Sequence, residues 1–112
     1  MEWSVELSDE VADWYRSLTP AGKAVTDRIF QRLESEGYML RMPNSKALED
    51  DLYELRFMCE GVARRITYTR EQQRRVITLT TFRKQRNNER REILRARRAL
   101  RARKDQQMGG QR

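Results

Sequence analysis

The 112-residue chain contains no histidine. That excludes acid–base work by a pair of imidazoles and any nucleophile activated through a histidine-centred triad. There is one cysteine, Cys59, so no internal disulfide can form, and with no imidazole to activate it the thiol reads as inert. No apolar run approaches the roughly 20 residues that a membrane span needs. The start, Met1-Glu2-Trp3-Ser4-Val5-Glu6, lacks the basic region and apolar stretch of a signal peptide, and a cytoplasmic protein is expected. Apolar residues make up 38% and charged residues 37%, so one small core must carry a heavily solvated surface. A single domain over residues 1–105 is expected, with residues 106–112, around Gly109-Gly110, as a disordered tail.

What the chain has in excess is positive charge, unevenly placed. Residues 83–112 hold 12 Lys and Arg against the acids Glu89, Glu92 and Asp105, a net +9. Residues 1–82 hold 12 against 14, a net −2, which accounts for the overall +7. A localised cationic segment calls for a polyanion, either a nucleic acid or an acidic protein.

Periodicity orders the elements. Trp3, Val5 and Leu7 alternate with polar residues as a short strand. Ser8 reads as an N-cap with Asp9 and Glu10 in the first turn, ahead of a helical stripe of Val11, Trp14, Tyr15 and Leu18. Thr19-Pro20 ends that helix and opens a second, which buries Ala21, Val25, Ile29 and Leu33 with Phe30 beside them, and stops at Gly37. Residues 38–51 read as irregular, with a turn at Pro43-Asn44 and the acids Glu49, Asp50 and Asp51 near their end. Three adjacent acids on an extended chain cannot all face one ion, so an acidic loop near the basic segment is the reading and no metal or cofactor is called for. Residues 85–105 begin at Asn87-Asn88 and form a helix whose apolar stripe is thin: Ile93, Leu94, Ala96, Ala99 and Leu100. It should dock weakly or lean on a partner.

Between these helices lie three consecutive strands rich in β-branched and aromatic residues, separated by Glu60-Gly61 and by residues 70–74. Parity places Tyr53, Leu55 and Phe57 with Arg64, Ile66 and Tyr68 and with Ile77 and Leu79 on a core face. Glu54, Arg56, Arg65, Thr67, Thr78, Thr80 and Lys84 take the opposite, solvated face. The order is β-α-α-β-β-β-α, an α+β domain with a helical hairpin on one face of a small, mainly antiparallel sheet and a basic C-terminal helix.

At Leu52-Tyr53-Glu54-Leu55-Arg56, Arg65-Ile66-Thr67-Tyr68 and Thr81-Phe82-Arg83-Lys84 the chain resembles the RelE/ParE superfamily of toxin–antitoxin toxins. It is similar to the HigB-like, phage-derived Gp49-like branch, with its "LYELR" strand, "R-I/V-x-Y" strand and "F-x-K" strand end. The resemblance covers roughly residues 3–100 and implies a toxin that cleaves mRNA on the ribosome and is neutralised by a helix-turn-helix antitoxin. It matches Arg65 to the arginine that meets the scissile phosphate, Lys84 to the basic residue ending the last strand, and Arg56 to the arginine closing the "ELR" strand. The lysine pair of RelE proper is absent, with Leu52 and Glu54 at those positions, and no tyrosine follows Tyr68 to stack on a base.

Metal-independent RNA cleavage needs a deprotonated 2′-hydroxyl, a charge-stabilised phosphate and a neutralised 5′-oxygen. Without histidine, arginine forks can position the phosphate, Glu54 is the available base, and Lys84 or Arg83 the electrostatic acid. The same residues could instead be a cross-strand ion pair on a wet face. Arg83, Arg86, Arg90 and Arg91 lead the basic helix as candidates for RNA phosphate contact, and Tyr68 or Phe82 could stack on bases, although Tyr68 falls on core parity. Two rival readings stay open: a ParE-like toxin that inhibits gyrase, and a non-enzymatic nucleic-acid-binding module.

Overall fold

Ser8 and Thr19 set the N-terminal half. The Ser8 hydroxyl accepts from Val11 N at 3.2 Å and opens α1, Asp9–Arg16; the Thr19 hydroxyl accepts from Gly22 N at 3.1 Å and opens α2, Pro20–Glu36. The second cap is reinforced from across the molecule. The Glu60 carboxylate accepts from both the backbone N–H and the hydroxyl of Thr19, each at 2.8 Å. The structure, a computed structural model, describes residues 2–109.

Five strands form one sheet: β1 Ser4–Glu6, β2 Ser45–Glu49, β3 Leu52–Cys59, β4 Val62–Glu71 and β5 Arg75–Arg83, in the order β1-β5-β4-β3-β2. Only β1 and β5 are parallel. The α+β class and the antiparallel β3-β4-β5 meander agree with the sequence reading, whereas β2 falls in the stretch that reads as irregular. Its residues, Ser-Lys-Ala-Leu-Glu, carry no β preference; pairing of Ser45 with Leu55, Lys46 with Glu54 and Ala47 with Tyr53 imposes the strand.

The helical hairpin of α1 and α2 covers one face, where Val11, Ile29, Phe30 and Leu33 pack on Leu55, Ile66, Tyr68 and Val76. Thr26, not Val25, is the buried member of its turn, its hydroxyl bonded to Gly22 O at 2.9 Å. The assignment of Ile77 and Leu79 to this face is corrected. Ile66 pairs with Thr81 but Tyr68 with Thr78, so three steps along β5 oppose two along β4. That bulge inverts the parity of β5 beyond it. Ile77 and Leu79 therefore join Leu52 on the second face, under Ala96 and Leu100 of the last helix, α3, Glu89–Gly109.

Helices thus lie on both faces, the hairpin on one and α3 on the other, and the face expected to be wet is largely covered. The stripe of α3 is thin as read, with Leu94 exposed, and acids from the rest of the chain hold the helix down. Arg95 bonds Glu10, Arg97 pairs with Glu49, Arg103 bonds Glu71 through two nitrogens at 3.1 Å each, and Lys104 bonds Asp51 at 2.8 Å. The acidic loop answers the basic helix internally. The helix runs past residue 105 to Gly109; residues 110–112 of the expected tail lie outside the described residues. Among the described residues no helix is long and apolar enough to cross a membrane.

Candidate active site

Cross-strand register assembles the polar patch. Glu54 lies opposite Thr67, Arg56 opposite Arg65, and Arg65 opposite Phe82, so Glu54, Arg56 and Arg65 rise from the α3 face of neighbouring strands. Lys84, two residues beyond Phe82, shares that parity, and its backbone N–H donates to Ala63 O at 2.8 Å. The connection that carries it is pinned by the buried Asn88. That side chain accepts from Gln85 N at 3.0 Å and donates to Arg83 O at 2.8 Å just before α3 begins.

Glu54 is fully buried, at 0% exposure, and does not face solvent as its parity alone suggested. Its carboxylate lies 3.7 Å from Arg56 Nε and 3.6 Å from Arg65 Nε, which are ion-pair distances rather than hydrogen bonds. Among the described residues neither of its oxygens has a hydrogen-bond partner, and nor does Arg65 Nε. Burial pushes the Glu54 carboxyl above the ordinary carboxylate value, Arg65 pulls it back, and the Glu89 charge adds to the rise. Arg65, 8% exposed, is shifted the other way, first by burial and then by Arg56, with Glu54 opposing. A buried carboxylate held at ion-pair distance by two guanidinia but without a hydrogen bond is costly for a fold, and perturbed groups of this kind cluster at functional sites.

Arg56 is reachable from solvent on the rim, where its Nη1 lies 3.6 Å from Met42 Sδ. The Lys84 ammonium donates to Gln85 O at 2.9 Å and lies 3.9 Å from Glu89, which also acts on Glu54 and Arg65. The structure therefore brings Glu54, Arg56, Arg65 and Lys84 into one neighbourhood.

Lys46 was missed. It pairs with Glu54 in register, is exposed, and lowers the Glu54 carboxyl electrostatically. No local signal marked it, because its strand had none.

The basic segment, which runs from the end of β5 into α3, holds cations of two kinds. Arg95, Arg97, Arg103 and Lys104 are consumed by internal ion pairs. Arg83, Arg86, Arg90 and Arg91 are exposed and form no ion pair among the described residues. The stacking expectation for Tyr68 and Phe82 is corrected, since both are buried. The Tyr68 hydroxyl bonds Ser45 Oγ at 2.6 Å and its ring stacks on Tyr53 at 5.4 Å. Cys59 is buried beside Thr26 and Gly22 O.

Residues 13–101 match the family described as "Phage derived protein Gp49-like (DUF891)". No curated protein matches the chain. Among solved structures, that of a mutant of the Escherichia coli toxin RelE in the free state is similar, with a TM-score of 0.62 at 13% identity, covering 91% of this chain and 98% of that one. At that identity the likeness is one of fold.

Proposed function

The chain belongs to the phage-derived Gp49-like family, a branch of the RelE superfamily, and on that premise we propose that it is the toxin of a type II toxin–antitoxin system. Its activity in this reading is metal-independent endonucleolytic cleavage of mRNA on the ribosome, which stops translation. The observation that carries the reading is the convergence of Arg56 and Arg65 on the buried Glu54, with Lys84 joined to the cluster through Glu89.

The chemistry follows from what each group can reach. Attack of a 2′-hydroxyl on the adjacent phosphorus builds negative charge on the non-bridging oxygens and then on the departing 5′-oxygen. The terminal nitrogens of Arg56 and Arg65 present planar donor forks to that phosphate, a geometry lysine cannot supply. Lys84 lies where it can meet the leaving oxygen. Glu54, sealed beneath the arginines, serves as a positioning residue in place of the base expected from the sequence: it holds both guanidinia through Nε, and substrate takes over their outer nitrogens, where Arg65 Nη1 now donates to Arg64 O at 3.3 Å and Arg56 Nη1 to Met42 Sδ at 3.6 Å. Catalysis then rests on alignment and charge stabilisation rather than on an exposed proton carrier. Arg83, Arg86, Arg90 and Arg91 take flanking phosphates, adding affinity with little sequence preference. The partner in the resting cell is a cognate helix-turn-helix antitoxin, and the site of action is the cytoplasm.

The test is growth and mRNA 5′-end mapping after induced expression of wild type, Arg65→Ala and Lys84→Ala without antitoxin. Arrest with new in-frame ends, lost in both variants, is the expected result. Arrest with intact mRNA would instead point to gyrase, and unaltered cleavage by Arg65→Ala would remove the arginine from the chemistry.

A further inference from the structure

An open groove of about 900 Å³ lies at the free edge of the sheet, where β2 has no outer neighbour, beside the 3₁₀ turn Gly37–Met39. Tyr38, Leu40, Met42 and the rings of Tyr53 and Tyr68 give it apolar walls, and Arg41, Lys46 and Arg70 give it charge. No carboxylate lines it. We propose that this groove docks an acidic segment of a partner protein, anchored by apolar side chains.

Two observations support that occupant. The first is apolar exposure: Tyr38 at 61%, Met39 at 64% and Met42 at 59% lie within five residues of one another. Clustered exposure of large apolar side chains marks an interaction surface, and tyrosine, methionine and arginine are the residues interfaces favour. Methionine adapts its shape to a protein segment, whereas phosphodiester backbone has no use for it. The second is charge. The cations of α3 near the acidic loop are matched by carboxylates, but Arg41, Lys46 and Arg70 form no ion pair among the described residues. Arg41 and Arg70, with Lys46 at the rim beside them, place cations around an apolar floor and select a partner that brings both carboxylates and apolar anchors.

Nucleic acid fits less well. The Tyr53 ring already carries the Arg70 guanidinium 4.0 Å from its centroid and the Tyr68 ring at 5.4 Å, and Arg70 also bonds the Tyr53 hydroxyl. The faces of the Tyr53 ring are therefore already taken by protein groups. Tyr53 and Tyr68 belong to the hairpin face of the sheet, opposite Glu54 and Arg65, so the groove meets the proposed cleavage site only at Lys46, and Arg41 and Met42 test it apart from RNA cleavage.

The experiment pans a phage-displayed library of random peptides on the full-length chain. The enriched peptide is then labelled and titrated by fluorescence anisotropy into wild type, Arg41→Glu, Lys46→Glu and Met42→Ser. All three positions are exposed, and circular dichroism checks that each variant is folded before titration. The expected winner carries several carboxylates among apolar residues, and each charge reversal weakens it at least tenfold. On wild type, its amide shift changes centre on residues 38–47, Tyr53 and Arg70, a readout that needs no variant. An enriched peptide that maps elsewhere, no acidic enrichment, or a labelled oligouridylate that perturbs those same amides would each overturn the proposal.

Discussion

Replacing Arg103 with methionine keeps the aliphatic stem of the side chain but removes the fork that ties α3 to the sheet. Two charge-assisted bonds to Glu71, at 3.1 Å each, disappear, along with the Glu6 carboxylate at 3.6 Å. Hydrogen bonds to charged partners contribute roughly 1.5–3 kcal/mol. Arg103 is part-exposed and Glu71 keeps Arg75 at 3.7 Å, so the low end of that range applies, about 1.5–2 kcal/mol for the fork as a whole. For a chain of this size that is about 6–8 °C in Tm. The pair should respond to pH with a defined sign. The Arg103 hydrogen bond holds the Glu71 carboxyl below its ordinary 4.5. A depressed acid contributes stability above its unfolded value and loses it as pH falls through the folded one. The difference between wild type and Arg103→Met should be full at pH 7, shrink below about pH 4.5, and shrink again in molar salt, where the screening length is ~3 Å. Urea unfolding at pH 7 and pH 3, with and without salt, measures this. A gap insensitive to both would mean that α3 is held by its apolar stripe alone.

Gly37 has φ +53°, and an added Cβ would fall inside the Trp3 indole; Gly37→Ala should cost about 3 kcal/mol or more in chemical denaturation. Glu54→Gln keeps shape but frees Arg56 and Arg65 from their anchor, so kcat should fall about tenfold while KM holds or drops, the split expected when orientation alone is lost. A parallel fall in affinity would show instead that Glu54 meets the substrate. Arg90→Ala with Arg91→Ala should weaken RNA binding evenly across sequences. On a log–log plot against salt, the slope should ease by about 1.4, roughly 0.7 for each single-strand phosphate that is no longer neutralised; an unchanged slope would take both arginines off the RNA path.

The elements most legible in the sequence were those with local chemistry of their own. Ser8 and Thr19-Pro20 announce caps, and the β-branched runs from Leu52 to Arg83 announce the meander. The strand motifs also led to Arg56, Arg65 and Lys84 together. What stayed hidden depends on pairing. β2 exists because β3 offers it hydrogen bonds, so Lys46 went unnoticed. The bulge between Ile66 and Tyr68 leaves no mark in composition, yet it moves Ile77 and Leu79 to the other face and gives α3 its seat. Once α3 is seated, Glu54 is no longer a surface carboxylate, which is why the role proposed for it is that of anchor in place of proton acceptor. The basicity of the last segment likewise reads as one patch until the fold brings Glu10, Glu49, Asp51 and Glu71 against it.

If guanidinium groups held over Glu54 cut RNA, single-turnover cleavage of mRNA on programmed ribosomes should separate purified wild type from Arg65→Ala, with circular dichroism confirming that the variant is folded. The expected loss is about 10²–10³ in rate, the scale for removing one donor to a developing oxyanion, at little cost in binding. Cleavage by Arg65→Ala at the wild-type rate would contradict the account.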